Sequence, residues 1–246
     1  MTAKRSKPIA AVILDAGGVI LHPNFDWIIE QAKSHDIDLR LEDLHLAYYR
    51  VMYLVDSDPS MQRGGMAVST DEIRLFLMSR LLDAAGVKPE AIDRAAPAMA
   101  REAGQTFPRE SDIYHYAMPQ TKAQLEQLKD AGFLLGVASN NDGALEAQLL
   151  GAGVDHLFGV ALDSGIEGVA KPEPELLLRA ARALAVAPES CLFVGDIDRV
   201  DGAAARAAKM HFALIDPLAQ DRPTQPLAIA SLAEIFDHFR PAADKS

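Results

Sequence analysis

Short, uninterrupted apolar runs constrain the fold of this chain more than any other sequence feature. They cover Ile9–Leu14, Phe133–Ala138, Phe158–Leu162, Cys191–Val194 and His211–Ile215. Continuous apolar runs, in contrast to alternating ones, are typical of strands that are buried on both faces of a parallel sheet. We therefore predict an α/β protein built on a parallel sheet.

Helical patterns separate the later apolar runs. Leu176, Ala180 and Leu184 repeat at intervals of four residues, and the segment Ala203–Lys209 is rich in alanine. Strands that alternate with helices in this order are typical of a doubly wound, Rossmann-like sheet.

One connection is too long for this pattern. The chain between Asp15 and Phe133 far exceeds the dozen or so residues that a crossover between parallel strands needs. The intervening segment has mostly helical patterns, and Ser69-Thr70-Asp71-Glu72 has the form of a capping box. We predict a mainly α-helical domain inserted over residues 22–118, and a core domain formed by residues 1–21 and 119–246.

Composition excludes several classes of partner. The formal net charge of −11 argues against nucleic-acid binding, which requires clustered Lys and Arg. The apolar runs are far shorter than the ~20 residues of a membrane span, and Asp15 interrupts the run that could mimic a signal peptide. The single Cys191 favours a reducing compartment and a buried structural thiol. We expect a cytoplasmic monomer or homodimer without membrane or nucleic-acid partners.

Polar residues follow the predicted strands at the edge where open parallel sheets bind their ligands. Asp15 follows the first strand, Ser139 and Asn140 follow the second, and Asp196 and Asp201 follow the fourth. The sequence therefore places carboxylates, a hydroxyl and an amide at one edge of the sheet.

Each of these residues also has a purely structural interpretation. Asp15 before two glycines is typical of a turn, Ser139 or Asp201 could cap the following helix, and Asp198 has the pattern of a solvated loop acid. Lys171 is more informative because a cation near a helix N-terminus opposes the helix dipole. An anion of the protein or of a substrate would explain its position, although an exposed lysine would tolerate it.

Taken together and in this order, the polar segments resemble the four motifs of the haloacid dehalogenase-like superfamily. The four segments are Asp15–Val19, Gly136–Asn140, Gly168–Pro174 and Gly195–Asp201. The resemblance covers about Ile9–Leu21 and Pro119–Phe239, and the helical insert lies where the family carries a mobile cap. It implies a Rossmann-like core and a Mg2+-dependent hydrolase.

The resemblance implies a phosphatase that acts on a small phosphorylated metabolite, for example a sugar phosphate. Asp15 is implied as the nucleophile that forms an aspartyl-phosphate. Lys171 and Ser139 are implied to hold the phosphoryl oxygens during the reaction. We predict further substrate contacts from Asn140 and Gly18.

The same resemblance implies a magnesium site. Its ligands would be the carboxylates of Asp15 and Asp196 and the backbone carbonyl of Gly17, with Asp201 bound directly or through a water molecule. Oxygen ligands of this kind suit Mg2+.

The first motif departs from the commonest form of the family at Gly17. A second Asp usually stands there, protonates the leaving group and then activates water. Losing such a group typically lowers the rate by about 10²–10⁴. The glycine is compatible with a phosphatase that uses a good leaving group, or an acid from the insert such as His22, for which a surface-loop position is the alternative.

Two alternatives to a phosphatase stay open. The chain could cleave a C–P or C–halogen bond, or it could be a regulatory protein that binds a phospholigand without turnover. The intact acidic fourth motif argues against dehalogenation. Phosphonate cleavage would need a lysine in an apolar setting, which neither Lys33 nor Lys88 has.

The insert also carries aromatic residues and three arginines, Arg50, Arg63 and Arg74. A pocket lined by aromatic side chains with one or two arginines would suit a phosphorylated organic molecule. We predict that Arg63, which precedes two glycines, contacts the substrate. For Tyr49 and Tyr53, which are four residues apart, packing inside the insert is the alternative.

Overall fold

The computed structural model describes residues 7–57, 70–220 and 226–242. The chain forms two compact units, which we call the core unit (Met1–Leu21 with Ala117–Ser246) and the helical unit (His22–Tyr116). Two sequence predictions, the Ser69 end of the capping box and the substrate contact of Arg63, lie outside the described residues.

Short strands and helices follow one another along the chain. The strands are β1 (Lys7–Ile9), β2 (Ala11–Leu14), β3 (His22–Pro23), β4 (Tyr114–Tyr116), β5 (Leu134–Ser139), β6 (Val160–Asp163), β7 (Cys191–Gly195), β8 (His211–Ile215), β9 (Leu227–Ile229) and β10 (Phe239–Pro241). The helices are α1 (Phe25–Ser34), α2 (Leu41–Ser57), α3 (Thr70–Ala84), α4 (Pro89–Thr106), α5 (Thr121–Asp130), α6 (Leu145–Gly151), α7 (Ser164–Glu167), α8 (Glu175–Ala183), α9 (Ala203–Ala207) and α10 (Ile235–His238).

The core unit contains a six-stranded parallel sheet in the order β6-β5-β2-β7-β8-β9. The chain starts in the middle with β2, adds β5 and β6 on one side, and then adds β7, β8 and β9 on the other side. This change of direction next to β2 is the switch point of a doubly wound sheet, where ligands bind. The predicted fold class is confirmed.

The first apolar run is divided between two sheets, so the prediction of one strand over Ile9–Leu14 is wrong. β1 pairs with β10 in a separate two-stranded sheet, whereas β2 joins the main sheet. At Ala10, between the two strands, the N–H donates to Ser190 O and the carbonyl accepts from Leu134 N. Hydrophobicity cannot reveal this change of sheet because both strands carry apolar residues.

The main sheet is buried at its centre. All four residues of β2 and all five of β7 are buried, and the apolar face of α8, including Leu176 and Leu177, packs in the same cluster as Phe193. Burying an apolar side chain of this size stabilises the fold by about 1.5–3 kcal/mol. Cys191 lies in this cluster, and burial raises the pKa of its thiol to about 12. The predicted burial of this thiol is confirmed.

The helical unit contains α1 to α4 and a short antiparallel ladder between β3 and β4. Side chains from β3, α1 and α2 form a cluster, the His22 cluster, made of His22, Phe25, His45, Tyr48 and Tyr49. His22 is 2% exposed and its Nε2 lies 3.2 Å from the Tyr49 hydroxyl. The surface-loop interpretation of His22 is therefore wrong.

Two arginines of the helical unit close the ends of helices. The buried Arg74 donates from Nη2 to the carbonyls of Phe107 and Pro108, just beyond α4. Arg50 donates to the carbonyl of Ala84, the last residue of α3. Carbonyls at helix C-termini lack partners within the helix, and cations satisfy them. The structure thus gives these two arginines a structural role.

Within residues 7–57, 70–220 and 226–242, the structure contains no helix that combines the length and the apolar character of a transmembrane span.

Candidate active site

Polar side chains meet at the carboxyl ends of the three central strands. In the register of the sheet, Leu14 of β2 lies opposite Val137 of β5 and Val194 of β7. Asp15 therefore leaves the sheet between Ser139, which ends β5, and Asp196, which follows β7.

Lys171 connects two of the acidic residues. Its Nζ lies 2.7 Å from Asp15 Oδ2 and 2.7 Å from Asp201 Oδ1. The side chains of Lys171 and Asp201 are 0% and 1% exposed, whereas Asp15 keeps 14% of its side chain accessible. Nζ also lies 5.1 Å from the centre of the Phe193 ring. The anions that explain the position of Lys171 are thus supplied by the protein itself, and Asp15 is the member open to a ligand.

The charge of Lys171 is maintained by the two carboxylates. Burial alone would lower the pKa of Lys171, but the nearby charges of Asp15 and Asp201 outweigh it and raise the pKa of the ammonium group. Burial also raises the pKa of Asp201 to about 6, although Lys171 opposes the change. The carboxylate of Asp15 adds to this rise in the pKa of Asp201.

The acidic residues have the chemistry of a metal site. Asp15, Asp196 and Asp201 each offer one carboxylate oxygen, and these oxygens all lie within 4.8 Å of one another. Three carboxylate oxygens gathered this closely attract a divalent cation. A set of oxygen donors suits a hard cation such as Mg2+. The residues present therefore fit a metal ion of this class.

A short π-helical turn over Asp198–Gly202 places Asp201. Its Oδ2 accepts from the backbone N–H of Asp196, at 3.2 Å, and of Ile197, at 3.1 Å. A Cβ at Gly195 would overlap the Asp201 carboxylate, so a glycine is required there. Asp201 is not the N-cap of α9, because its carboxylate turns back towards β7 and Gly202 precedes the helix.

Ser139 and Asn140 lie next to one another but differ in their surroundings. Ser139 is the buried last residue of β5 and does not cap α6, which begins only at Leu145. The side chain of Asn140 is engaged with the backbone of Lys171: Nδ2 donates to the carbonyl at 2.8 Å, and Oδ1 accepts from the N–H at 2.9 Å. Asn140 therefore orients the lysine, and its predicted contact with a substrate stays a prediction.

The first turn after β2 contains the two glycines predicted to contribute backbone groups. Gly18 adopts a φ of 73°, a conformation that favours glycine, and its N–H donates to the carbonyl of Leu21. Gly17 is half-buried and forms an isolated bridge with Leu21. The tight turn brings both glycines next to Asp15, whose Oδ1 accepts from Ala16 N at 2.7 Å.

Two further acidic residues have roles that sequence reasoning missed. Asp198, predicted to be a solvated loop acid, is buried and lies 2.7 Å from Arg206 Nη1, so that prediction is wrong. Asp163 ends β6, and its carboxylate accepts from the N–H groups of Gly143, Leu145 and Gly165. Its place at the end of a predicted strand was the only available signal.

Known proteins resemble this chain over most of its length. The family model of haloacid dehalogenase-like hydrolases matches residues 9–209. A phosphoserine phosphatase of Thermus thermophilus is 35% identical over 153 residues, which span 60% of this chain and 61% of that protein. Phosphatase MT3486 of Mycobacterium tuberculosis is 28% identical over 95% of this chain and 99% of its own length.

A similar fold is found in a solved 2-haloacid dehalogenase from Pseudomonas syringae. It is 25% identical, has a TM-score of 0.53, and the match covers 93% of this chain and 97% of that one. Since the fold occurs in a dehalogenase and the sequence relatives include phosphatases, the fold alone does not select the bond that is cleaved. The family-model match nevertheless shows the ancestry, and the chain belongs to the haloacid dehalogenase-like hydrolases.

Proposed function

We propose that this hydrolase is a Mg2+-dependent phosphatase that acts on a small phosphorylated metabolite through an aspartyl-phosphate on Asp15. The observation that carries the proposal is the ammonium group of Lys171, held between the carboxylates of Asp15 and Asp201. A dianionic phosphate approaching the partly exposed Asp15 needs positive charge beside the nucleophile, and Lys171 supplies it.

In the first step, an oxygen of Asp15 attacks phosphorus and the bond to the leaving oxygen breaks. The leaving group takes the electron pair, and the phosphoryl group remains on Asp15 as a mixed anhydride. In the second step, water attacks phosphorus and the bond between phosphorus and the Asp15 oxygen breaks. The Asp15 carboxylate is regenerated, and the inorganic phosphate leaves with the oxygen and the protons of the water. This division replaces one difficult displacement by two easier ones. Lys171 would stabilise the negative charge on the phosphoryl oxygens, and Ser139, at the end of β5, would donate a hydrogen bond to one of them.

The acidic residues would hold the metal ion. Asp15, Asp196 and Asp201 offer the carboxylates, and the carbonyl of Gly17 is the proposed fourth ligand. A bound Mg2+ would supply charge neutralisation for attack by one anion on another.

The glycine at position 17 restricts the substrate. Without a side chain there, no carboxyl group from this position protonates the departing oxygen. His22 does not compensate, because burial lowers its pKa to about 3 and leaves the ring neutral. We therefore expect the best substrates to have leaving groups that are stable as anions.

We further propose that the inserted segment acts as a cap domain that selects the organic part of the substrate. The ammonium group of Lys171 is held by Asp15 and Asp201, beside the position proposed for the transferred phosphoryl group. Recognition of the remainder of a substrate therefore falls to other residues, and Arg63 stays our prediction for one of them.

Phosphate release from a panel of phosphate esters, with Mg2+ or with EDTA, tests the proposal. We expect Mg2+-dependent release by the wild type and its loss in Asp15→Asn, which keeps the shape of the side chain. The same reactions are assayed for halide and for aldehyde. Release of either product, without phosphate from any ester, would replace this proposal by C–halogen or C–P cleavage. Tight phosphate binding without any product would indicate a regulatory protein.

A further inference from the structure

An ion pair outside the acidic cluster links the turn that carries Asp201 to α9. Asp198 begins the turn, Arg206 lies in α9, and Arg206 Nη1 lies 2.7 Å from Asp198 Oδ1. The Asp198 side chain is 5% exposed, whereas that of Arg206 is 50% exposed. A buried carboxylate is thus balanced by an arginine that reaches it from the surface.

The turn has little room to move. A Cβ at Gly202 would overlap Asp198 Oδ1 and would lie 2.7 Å from Arg206 Nη1 and 2.9 Å from Phe212 Cε1. On the other side, a Cβ at Gly195 would overlap the Asp201 carboxylate. Gly202 of the turn therefore lies against the ion pair, and the neighbouring Asp201 side chain lies against Gly195 of β7. These close contacts couple the position of Asp198 to that of Asp201.

We propose that the Asp198–Arg206 ion pair is a positioning element that holds Asp201 in place for a divalent cation. With the turn fixed, Asp201 Oδ2 is bound by the N–H groups of Asp196 and Ile197. Oδ1 then faces the Lys171 side of the site. Partners behind the ligands of a metal site commonly determine how well those ligands are oriented. The inference rests on the proposed metal-binding role of the acidic residues.

Removing the arginine separates positioning from simple electrostatics. Arg206 carries a positive charge, so its loss would strengthen the attraction between the acidic site and a cation if charge alone mattered. If the ion pair positions Asp201, the same change weakens cation binding. The two mechanisms therefore predict opposite signs for Arg206→Met.

Calorimetric titration of Mg2+ into the metal-free full-length protein measures this sign. We expect Arg206→Met to raise the Kd for Mg2+ about 10-fold, the lower end of the range for partners behind metal ligands. Arg206→Lys should recover part of the affinity because it keeps a cation near Asp198. Arg182→Met is the matched control: Arg182 is also an exposed arginine with a 2.7 Å ion pair, to Glu175, and its loss should leave the Kd unchanged.

A second variant guards against misfolding. Arg206→Gln keeps a hydrogen-bonding side chain without charge, and circular dichroism in EDTA identifies which variants are folded. Unchanged or tighter Mg2+ binding in a folded Arg206→Met or Arg206→Gln would overturn the inference. Failure of the wild type itself to bind Mg2+ would instead contradict the metal-dependent part of the proposed function.

Discussion

Lys171 of the core unit and His22 of the helical unit are both buried, but Lys171 carries a charge and His22 does not. In the core unit, Lys171 and Asp201 are buried in ionised form, side by side with the partly exposed Asp15. In the helical unit, the buried His22 is neutral because burial lowers its pKa to about 3. Keeping charges in a low-dielectric interior is costly unless they are paired. The contrast supports our proposal that the chemistry lies in the core unit, and it agrees with a packing role for the His22 cluster.

The strongest way to break this comparison is to remove the buried cation. Lys171→Met leaves Asp15 and Asp201 facing each other without a counter-charge, and breaking a buried pair in this way typically costs about 3–5 kcal/mol. We expect the free energy of unfolding in EDTA to fall by about that amount, and phosphatase activity to disappear. Urea denaturation measures the first effect. Lys129→Met, which removes an exposed lysine bonded to the His156 carbonyl, should change neither property.

A second prediction concerns position 17 of the core unit, where Gly17 stands in place of the second Asp of the first motif. The backbone of Gly18 has a φ of 73°, whereas Gly17 is not among the glycines with positive φ, so an aspartate fits its conformation. For an alkyl phosphate with a poor leaving group, Gly17→Asp should raise kcat/KM about 10- to 100-fold, as general acid catalysis typically does. For an ester of an acidic phenol, it should change little.

Gly17→Asn is the control for this gain, since an amide cannot donate a carboxylic proton. An equal gain in both variants, or no dependence on the leaving group in the wild type, would contradict the assignment of position 17.

The dependence of the unfolding free energy on pH tests whether the buried His22 of the helical unit is neutral. Burial lowers the pKa of His22 from its ordinary value of 6.5 to about 3 in the folded protein. Between these two values the unfolded chain binds a proton at His22 and the folded chain does not. The stabilisation from neutral His22 is complete above pH 6.5 and falls by about 1.4 kcal/mol per pH unit below it. Between pH 6.5 and 5 we expect a loss of about 2 kcal/mol attributable to this group.

Urea denaturation across this pH range compares the wild type with His22→Phe, whose ring suits the aromatic surroundings. The pH slope should be smaller in the variant. His156→Asn, which changes an exposed histidine, should keep the wild-type slope. An identical slope in His22→Phe would mean that other groups, such as the half-buried His45, control the response to acid.

The smallest effect that we expect is a difference in the unfolding free energy lost when Arg74 or Arg50 of the helical unit is replaced. Arg74→Met removes a buried guanidinium that bonds the carbonyls of Phe107 and Pro108, and hydrogen bonds from charged groups contribute about 1.5–3 kcal/mol. We expect a loss near 1.5 kcal/mol in urea denaturation. Arg50→Met should cost less because that arginine is exposed. Equal losses would show that burial does not set the value of these contacts.

Some of this molecule was predictable from the sequence. The strand over His211–Ile215 coincides with its apolar run, and parallel strands bring their carboxyl ends to one edge. Asp15 and the acidic residues after β7 each follow a predicted strand, so the sequence predicts that they lie close together. Lys171 is a cation near a helix N-terminus, so the sequence predicts an anion beside it. These features depend on local pattern and on the general geometry of parallel sheets.

Other features depend on contacts that no local pattern encodes. The three residues of β9 are too few for a recognisable run. Asp198 has the composition of a loop acid, and only the fold of the π-helical turn brings it to Arg206. Both amide atoms of Asn140 meet the Lys171 backbone, a contact between residues 31 positions apart. Such pairings appear only when the elements are assembled.

A covalent intermediate on Asp15 is the central claim, and a rapid acid quench tests it most directly. The Mg2+-loaded enzyme is mixed with a good phosphate ester, stopped within the first turnover, digested and analysed by mass spectrometry. The account predicts the mass of one phosphoryl group on the peptide that contains Asp15, and none in Asp15→Asn. Release of phosphate throughout the first turnover, with Asp15 unmodified at every quench time, would contradict it.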